Sequence, residues 1–147
     1  MYKICFVCLG NICRSPMAEY MMKDRLFKKG LEDSYMVASR GTSYEESGND
    51  MYPPAKKMLF EKGISFKKHV ATRLEKDDYN KYDVFYCMEG RNVSAAIEIF
   101  GDDPDNKVHT LLDRNIADPW YTGDFLKTYN DLLEGIDLLF NNINENC

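Results

Sequence analysis

Cys8 and Arg14 bracket the stretch Cys8-Leu9-Gly10-Asn11-Ile12-Cys13-Arg14-Ser15. Those residue types at that spacing can hold a phosphate dianion and attack its phosphorus. Gly10 accepts positive φ at no steric cost, and Asn11 tolerates it better than most residues. Successive N–H groups can therefore turn inward as an anion nest. Arg14 supplies a planar fork that matches two phosphate oxygens. Ser15-Pro16 opens a helix, with serine suited to the cap and proline to the first turn, and the helix N-terminus adds partial positive charge at the same place. That field favours the thiolate of Cys8, which is the nucleophilic form. Thiolate attack on a phosphate ester expels an alkoxide or phenoxide, so a proton donor is wanted opposite the nucleophile. Asp118 in Ala117-Asp118-Pro119-Trp120-Tyr121 is a candidate, because Pro119 restricts it to extended geometry and the aromatics partly desolvate it. Read by itself, the motif fits a turn or N-cap aspartate better than an acid.

The elements that must position these groups are legible in the hydrophobic pattern. Lys3 to Leu9 is nearly continuous apolar, as a strand buried on both faces should be. A helix follows from Ser15-Pro16 to about Lys29, where Gly30 stops it. Tyr35 to Ser39 reads as a second strand. Pro53-Pro54 opens a helix ended by Gly63, and Glu75 to Tyr79 reads as a helical turn. Asp83 to Met88 is a third strand, Asn92 to Phe100 a helix, and Val108 to Leu112 a fourth strand. From about Thr122 to Ile143 apolar residues recur at helical spacing. Alternating strands and helices predict an α/β fold, a parallel sheet with helices on both faces, in one domain over residues 1–147. Ligands in such sheets bind beyond the carboxyl ends of the strands, where the loop 8–15 lies.

Composition narrows the function classes. The chain has 147 residues, a net charge of −5 and 44% hydrophobic residues, which suits one globular core and no nucleic-acid partner. The pairs Lys28-Lys29, Lys56-Lys57 and Lys67-Lys68 read as solvated faces. No apolar run approaches the roughly 18 residues of a membrane span. Five cysteines form no disulfide framework, so a reducing cytoplasm is expected; Cys5 and Cys87 lie in apolar runs and read as core. There is no G-x-x-x-x-G-K-[ST] nucleotide loop, and Cys8 and Cys13, separated by four residues and without a second cysteine pair, read as neither a redox nor a zinc pair. The two histidines and scattered carboxylates have no ligand spacing, so neither metal nor cofactor is expected.

Val7 to Pro16 resembles the signature of the low-molecular-weight protein tyrosine phosphatases. The resemblance extends over nearly the whole chain, through Ser39 and Gly41, His69 with Ala71 to Arg73, Asp83, and Asp118-Pro119-Trp120-Tyr121. It implies a three-layer sandwich around a four-stranded parallel sheet in order 2-1-3-4. It implies hydrolysis of phosphotyrosine through a phosphocysteine on Cys8, with Arg14 binding phosphate and Asp118 as general acid and then base. Leu9, Gly10, Asn11, Ile12, Cys13, Arg14 and Ser15 form the phosphate-binding loop in that reading. Ser15 donates to the Cys8 thiolate or caps the helix. Asn11, Ser39 and His69 form the network that holds Asn11 left-handed; His109 has no counterpart. Tyr44, Trp120 and Tyr121 correspond to the aromatic mouth, with Trp120 where many relatives carry tyrosine. Glu45 and Glu46 add negative charge to that rim, so acidic phosphopeptides should bind less well than basic ones. Arg40 stands where small or acidic residues are usual and is expected to face solvent. Cys13 is either a reversible disulfide partner that guards Cys8 or a small packing residue.

The implied partners are phosphotyrosine proteins or aryl phosphates, for a monomer that at most dimerises weakly. Two rival activities are weaker. A thiol-dependent arsenate reductase needs two relay cysteines after the third strand; Cys87 lies inside that strand and the next cysteine is Cys147. A phosphotyrosine-binding module without turnover would need neither Cys8 nor Asp118. A sugar-transport phosphocarrier also uses a loop cysteine, but would have no purpose for Arg14 and Asp118.

Overall fold

The apolar runs become strands whose side chains alternate between two cores. The computed structural model describes residues 1–145, and Cys147 lies outside the described residues. In chain order the elements are β1 (Tyr2–Cys8), α1 (Arg14–Lys28), β2 (Tyr35–Gly41), α2 (Pro53–Glu61), α3 (Asp78–Lys81), β3 (Val84–Cys87), α4 (Gly90–Phe100), β4 (Val108–Thr110), α5 (Pro119–Thr122) and α6 (Phe125–Glu145). The strands form one four-stranded sheet in the order β2-β1-β3-β4, and all pairs are parallel.

Alternation along β1 explains the layering. Ile4 and Phe6 join Met17, Met22 and Leu26 of α1 and Leu132, Ile136 and Phe140 of α6 in one core. Cys5 and Val7 point the other way, into a second core with Phe85, Cys87, Leu74, Tyr79, Ala96 and Phe100. Each fully buried large side chain contributes about 1.5–3 kcal/mol from leaving water, so both faces are well covered. The central strand β1 ends at Cys8, and the chain turns over the carboxyl edge of the sheet before entering α1.

Several boundaries differ from those read in the sequence. α1 starts at Arg14 and its N-cap is Cys13, with no side-chain cap; Ser15 lies inside the first turn and is not the cap. The helix read from about Thr122 starts at Phe125 as α6, and a separate four-residue helix, α5, precedes it and ends at Gly123, whose φ is 74°. The turn placed at 75–79 becomes α3 three residues later, with Asp78 accepting from the Glu75 N–H at 2.8 Å. β2 runs on to Gly41 because it pairs with β1 as far as Cys8.

Arg40 faces neither solvent nor cleft. Its Nη1 donates to the Ser39 carbonyl at 2.8 Å and its Nη2 to the Tyr82 hydroxyl at 3.0 Å. The guanidinium lies 5.7 Å from the Tyr82 ring centroid and reaches Asp78 at 4.0 Å. This correction follows from β2 alternation: Ser39 faces the loop side, so Arg40 faces the α3 side.

Candidate active site

The site is built on the β1–α1 turn. Asn11 sits at φ 61°, in the left-handed region that asparagine tolerates better than most residues. Its backbone N–H donates to Cys8 Sγ at 3.3 Å. Its side chain is held on three sides. Nδ2 donates to Ser15 Oγ at 2.8 Å and to Ser39 Oγ at 3.0 Å, while Oδ1 accepts from the Thr72 N–H at 2.9 Å. His69 Nε2 donates to the Asn11 carbonyl at 2.8 Å, and its own N–H donates to Asp50 at 2.8 Å. The expected partners Ser15, Ser39 and His69 therefore converge on Asn11.

Proton counting gives these bonds a direction. Glu19 is a carboxylate and accepts from Ser39 Oγ at 2.7 Å. That commits the one Ser39 proton, so Ser39 accepts from Asn11. Asn11 then donates its second amide proton to Ser15. The single Ser15 proton remains, and its nearer acceptor is Cys8 Sγ at 3.0 Å rather than the Arg40 carbonyl at 3.4 Å. A buried relay thus runs from Glu19 on α1 to the sulfur and ends with a hydroxyl proton aimed at it. Glu19 was not legible in the sequence, because Glu19 and Lys23 at i, i+4 read as an ordinary surface pair.

Arg14 is 1% exposed. Its Nη1 donates to the Ile116 carbonyl at 2.7 Å and pairs with Glu89 Oε1 at 3.2 Å. Its Nη2 is 3.4 Å from Asp118 Oδ2. A buried guanidinium without a carboxylate would be strongly unfavourable, so Glu89 is what permits Arg14 to sit there. Glu89 also caps α4, exchanging bonds with Asn92. The signal for it was its place directly after β3, at the same sheet edge as the loop.

Asp118 takes the N-cap position that its motif allowed. Oδ1 accepts from the Trp120 N–H at 3.0 Å as the N-cap of α5, and Oδ2 faces Arg14. Trp120 rests on Tyr52, with ring centroids 4.7 Å apart.

Cys8, Gly10, Ile12, Cys13, Arg14 and Asp118 line one pocket with Leu9, Trp120, Tyr121, Glu45 and Glu46. Tyr44 does not line it. It is 60% exposed, and its hydroxyl donates to Glu75 at 3.1 Å. The Arg73 guanidinium lies 4.5 Å from its ring centroid. The 42–49 loop has no apolar period to fix its register, so Glu45 and Glu46 reach the rim where an aromatic ring was expected. Burial pushes the Cys13 thiol up well beyond its ordinary range, helped by the nearby Cys8 and Asp118. Burial likewise takes Cys87 up to about 12.

The loop also depends on Gly41. A Cβ there would stand 2.8 Å from the Leu9 carbonyl oxygen and 3.2 Å from both Asn11 Cβ and the Gly10 carbonyl carbon. β2 can lie under the loop only with no side chain at this position.

A doubly covered parallel sheet whose ligand loop crosses the carboxyl edge after its first strand places the chain among open α/β sandwiches with a β1–α1 anion site. The model of the low molecular weight phosphotyrosine protein phosphatase family matches residues 3–147. The Bacillus subtilis low molecular weight protein-tyrosine-phosphatase YfkJ is 32% identical over 97% of this chain and 96% of its own. Its crystal structure superposes with a TM-score of 0.95 over 99% of this chain and 96% of that chain, at 31% identity. The Schizosaccharomyces pombe low molecular weight phosphotyrosine protein phosphatase is 33% identical over 82% of each chain. The Streptococcus pyogenes low molecular weight protein tyrosine phosphatase SP-PTP gives a TM-score of 0.89 and 34% identity over 97% of this chain and 93% of its own. The chain belongs to the low-molecular-weight protein-tyrosine-phosphatase family and is a hydrolase of that kind. No helix among the described residues is long and apolar enough to cross a membrane.

Proposed function

We propose that the protein hydrolyses phosphotyrosine by two in-line displacements at phosphorus. In the first, the Cys8 sulfur forms an S–P bond as the bond from phosphorus to the phenolic oxygen breaks. Asp118 gives its carboxyl proton to the departing oxygen. In the second, the Asp118 carboxylate takes a proton from water, whose oxygen attacks phosphorus while the S–P bond breaks. Inorganic phosphate leaves and Cys8 regains its electron pair. Arg14 and the backbone amides of the loop carry the charge of the equatorial oxygens.

The observation that carries this reading is the meeting of three groups. The Cys8 sulfur receives bonds from Ser15 and Asn11, and Arg14 on the same loop reaches Asp118 from a loop 104 residues away. The Ser15 proton aimed at sulfur supports a role in stabilising the thiolate, both before attack and when it departs from phosphorus. Ser39, His69 and Asn11 support the loop shape. Ile12, Trp120 and Tyr121 give the pocket apolar walls suited to a phenyl ring. Cys13, beside the nucleophile and neutral, is suited to close a disulfide with an oxidised Cys8 sulfenic acid, releasing water.

The test is hydrolysis of an aryl phosphate and of a phosphotyrosine peptide. Cys8→Ser should lose at least about 10³-fold in kcat, and Asp118→Asn roughly 10²- to 10³-fold on the peptide. Turnover by Cys8→Ser near the wild-type rate would end the phosphocysteine reading. A peptide rate unchanged in Asp118→Asn would end the acid assignment alone.

A further inference from the structure

We propose that Tyr52 is a positioning residue for Asp118, acting through the indole of Trp120. The inference rests on the reading of Asp118 as the general acid and adds a residue to it.

Tyr52 lies between the two halves of the site. Its backbone N–H donates to the Ile12 carbonyl at 2.9 Å, which ties it to the phosphate loop. It is the N-cap of α2 and precedes Pro53, so its backbone is fixed at φ −58° and ψ 133°. Its ring packs with that of Trp120 at 4.7 Å between centroids and 53° between planes. Its ring also lies 6.1 Å from that of Phe125 at the start of α6, centroid to centroid. Together with Phe125 it packs against the small cluster of Ile12, Cys13 and Ala71 beneath the loop.

Trp120 needs such a partner. It is 50% exposed and belongs to a helix of four residues, too short to be stable by itself. Its backbone N–H is what Asp118 Oδ1 accepts from. A sideways slip of the indole therefore moves the N–H that orients the carboxyl group. The Asp118 carboxyl has two supports, this N–H and the Arg14 guanidinium. Only the first distinguishes the acid's orientation from simple charge attraction, and Tyr52 is the ring that holds it. Ring pairs of this geometry are favourable beyond the area they bury.

The role is one of orientation, so it should appear in the proton-transfer step and not in phosphate binding. A well-oriented acid matters most when the leaving group is a poor one. Loss of orientation should make log(kcat/KM) fall more steeply with leaving-group pKa across a series of substituted phenyl phosphates. Tyr52→Ala is expected to lose about 10-fold on phenyl phosphate and less than about 2-fold on a strongly activated nitrophenyl ester. The inhibition constant of inorganic phosphate should stay within about 2-fold. The Tyr52 hydroxyl has no hydrogen-bond partner among the described residues, so Tyr52→Phe should restore the wild-type slope. Tyr52→Leu fills the volume without a ring if the alanine variant unfolds, and should show the same steep slope.

Asp118→Asn is run in parallel to separate the two claims. If it steepens the slope and Tyr52→Ala and Tyr52→Leu run parallel to wild type, the acid stands and the inference is overturned. If Asp118→Asn does not steepen the slope, the acid reading and the inference fall together. A uniform loss across all esters in the Tyr52 variants shows a merely structural ring and also overturns the inference.

Discussion

Gly41→Ala is the most demanding test of how the loop is held. The added methyl would sit 2.8 Å from the Leu9 carbonyl oxygen, and 3.2 Å from Asn11 Cβ and the Gly10 carbonyl carbon. All three belong to the phosphate loop and two are backbone, so no side-chain rotation relieves the contact. Gly41 cannot retreat either. Its N–H donates to Thr72 at 2.8 Å, its carbonyl accepts from Leu74 at 2.8 Å, and the next N–H donates to Cys8 and Leu9 at 3.0 Å each. Something must give by about half an ångström to restore ordinary contact, and the less buried Leu9-Gly10 end of the loop is the freer side. Overpacking of this kind costs about 1–3 kcal/mol, or about 3–10 °C in Tm for a domain of this size. Displacing the amides and Asn11 by that amount should lower kcat/KM on an aryl phosphate roughly 10- to 100-fold, with the fold intact. The assay pairs initial rates with a thermal melt. Activity within twofold of wild type, at any Tm, would refute the claim that β2 sets the loop's shape by lacking a side chain at 41.

Other expectations follow from charge and thiol chemistry. Glu45 and Glu46 line the rim and pair with no Lys or Arg among the described salt bridges, and a charge at about 10 Å in a water-like medium is worth about 0.4 kcal/mol. Glu45→Gln with Glu46→Gln should raise kcat/KM on an acidic phosphopeptide by about 2-fold per charge removed and narrow the advantage of a matched basic peptide. Equal efficiencies on both peptides with the wild type would discard the rim effect. Cys13→Ser should recover less activity than wild type when peroxide treatment is followed by thiol; equal recovery assigns Cys13 to packing alone. Asp50 accepts from Lys56 and from the His69 and Met51 N–H groups, which hold its carboxyl down at about 2. A lowered folded-state value stabilises above the unfolded carboxylate range near pH 4 and is lost as pH falls toward 2. Asp50→Asn should therefore flatten the acid limb of Tm against pH in that window, by only about 2 °C because the half-buried pair is still screened by solvent. An unchanged acid limb would show that Asp50 does not tie the His69 segment.

The parallel sheet and the loop at its edge were legible because apolar runs of strand length alternate with helical periods, while the strand order 2-1-3-4 came from the family resemblance. Cys8 and Arg14 were legible because each residue type has a narrow chemical use at its place, whereas Asp118 stood out as an acid only through the family resemblance. What the sequence could not show falls into physical classes. The Ile116 carbonyl and the Thr72 N–H are backbone groups, which every residue carries. Glu19 and Glu89 look like solvated carboxylates until the fold brings Ser39 and Arg14 to them. Tyr44 and Arg40 were misplaced because loop register and strand phase decide their direction, and neither is written in residue type. Tyr52 reads as one of ten tyrosines until Trp120 arrives beside it from the far end of the chain.

Asn11 joins Ser39, His69 and Thr72, which lie 28, 58 and 61 residues further on. The left-handed turn is paid for by contacts that exist only after the second strand and the 69–72 segment have docked. A folding chain therefore acquires its sheet before it acquires a shaped nucleophile. The reverse order holds on the way out: in mild denaturant, enzymatic rate should disappear at a lower concentration than helical signal. Turnover in this protein is a gauge of the last contacts to form, and a destabilised variant can look folded to spectroscopy while its chemistry has already been lost.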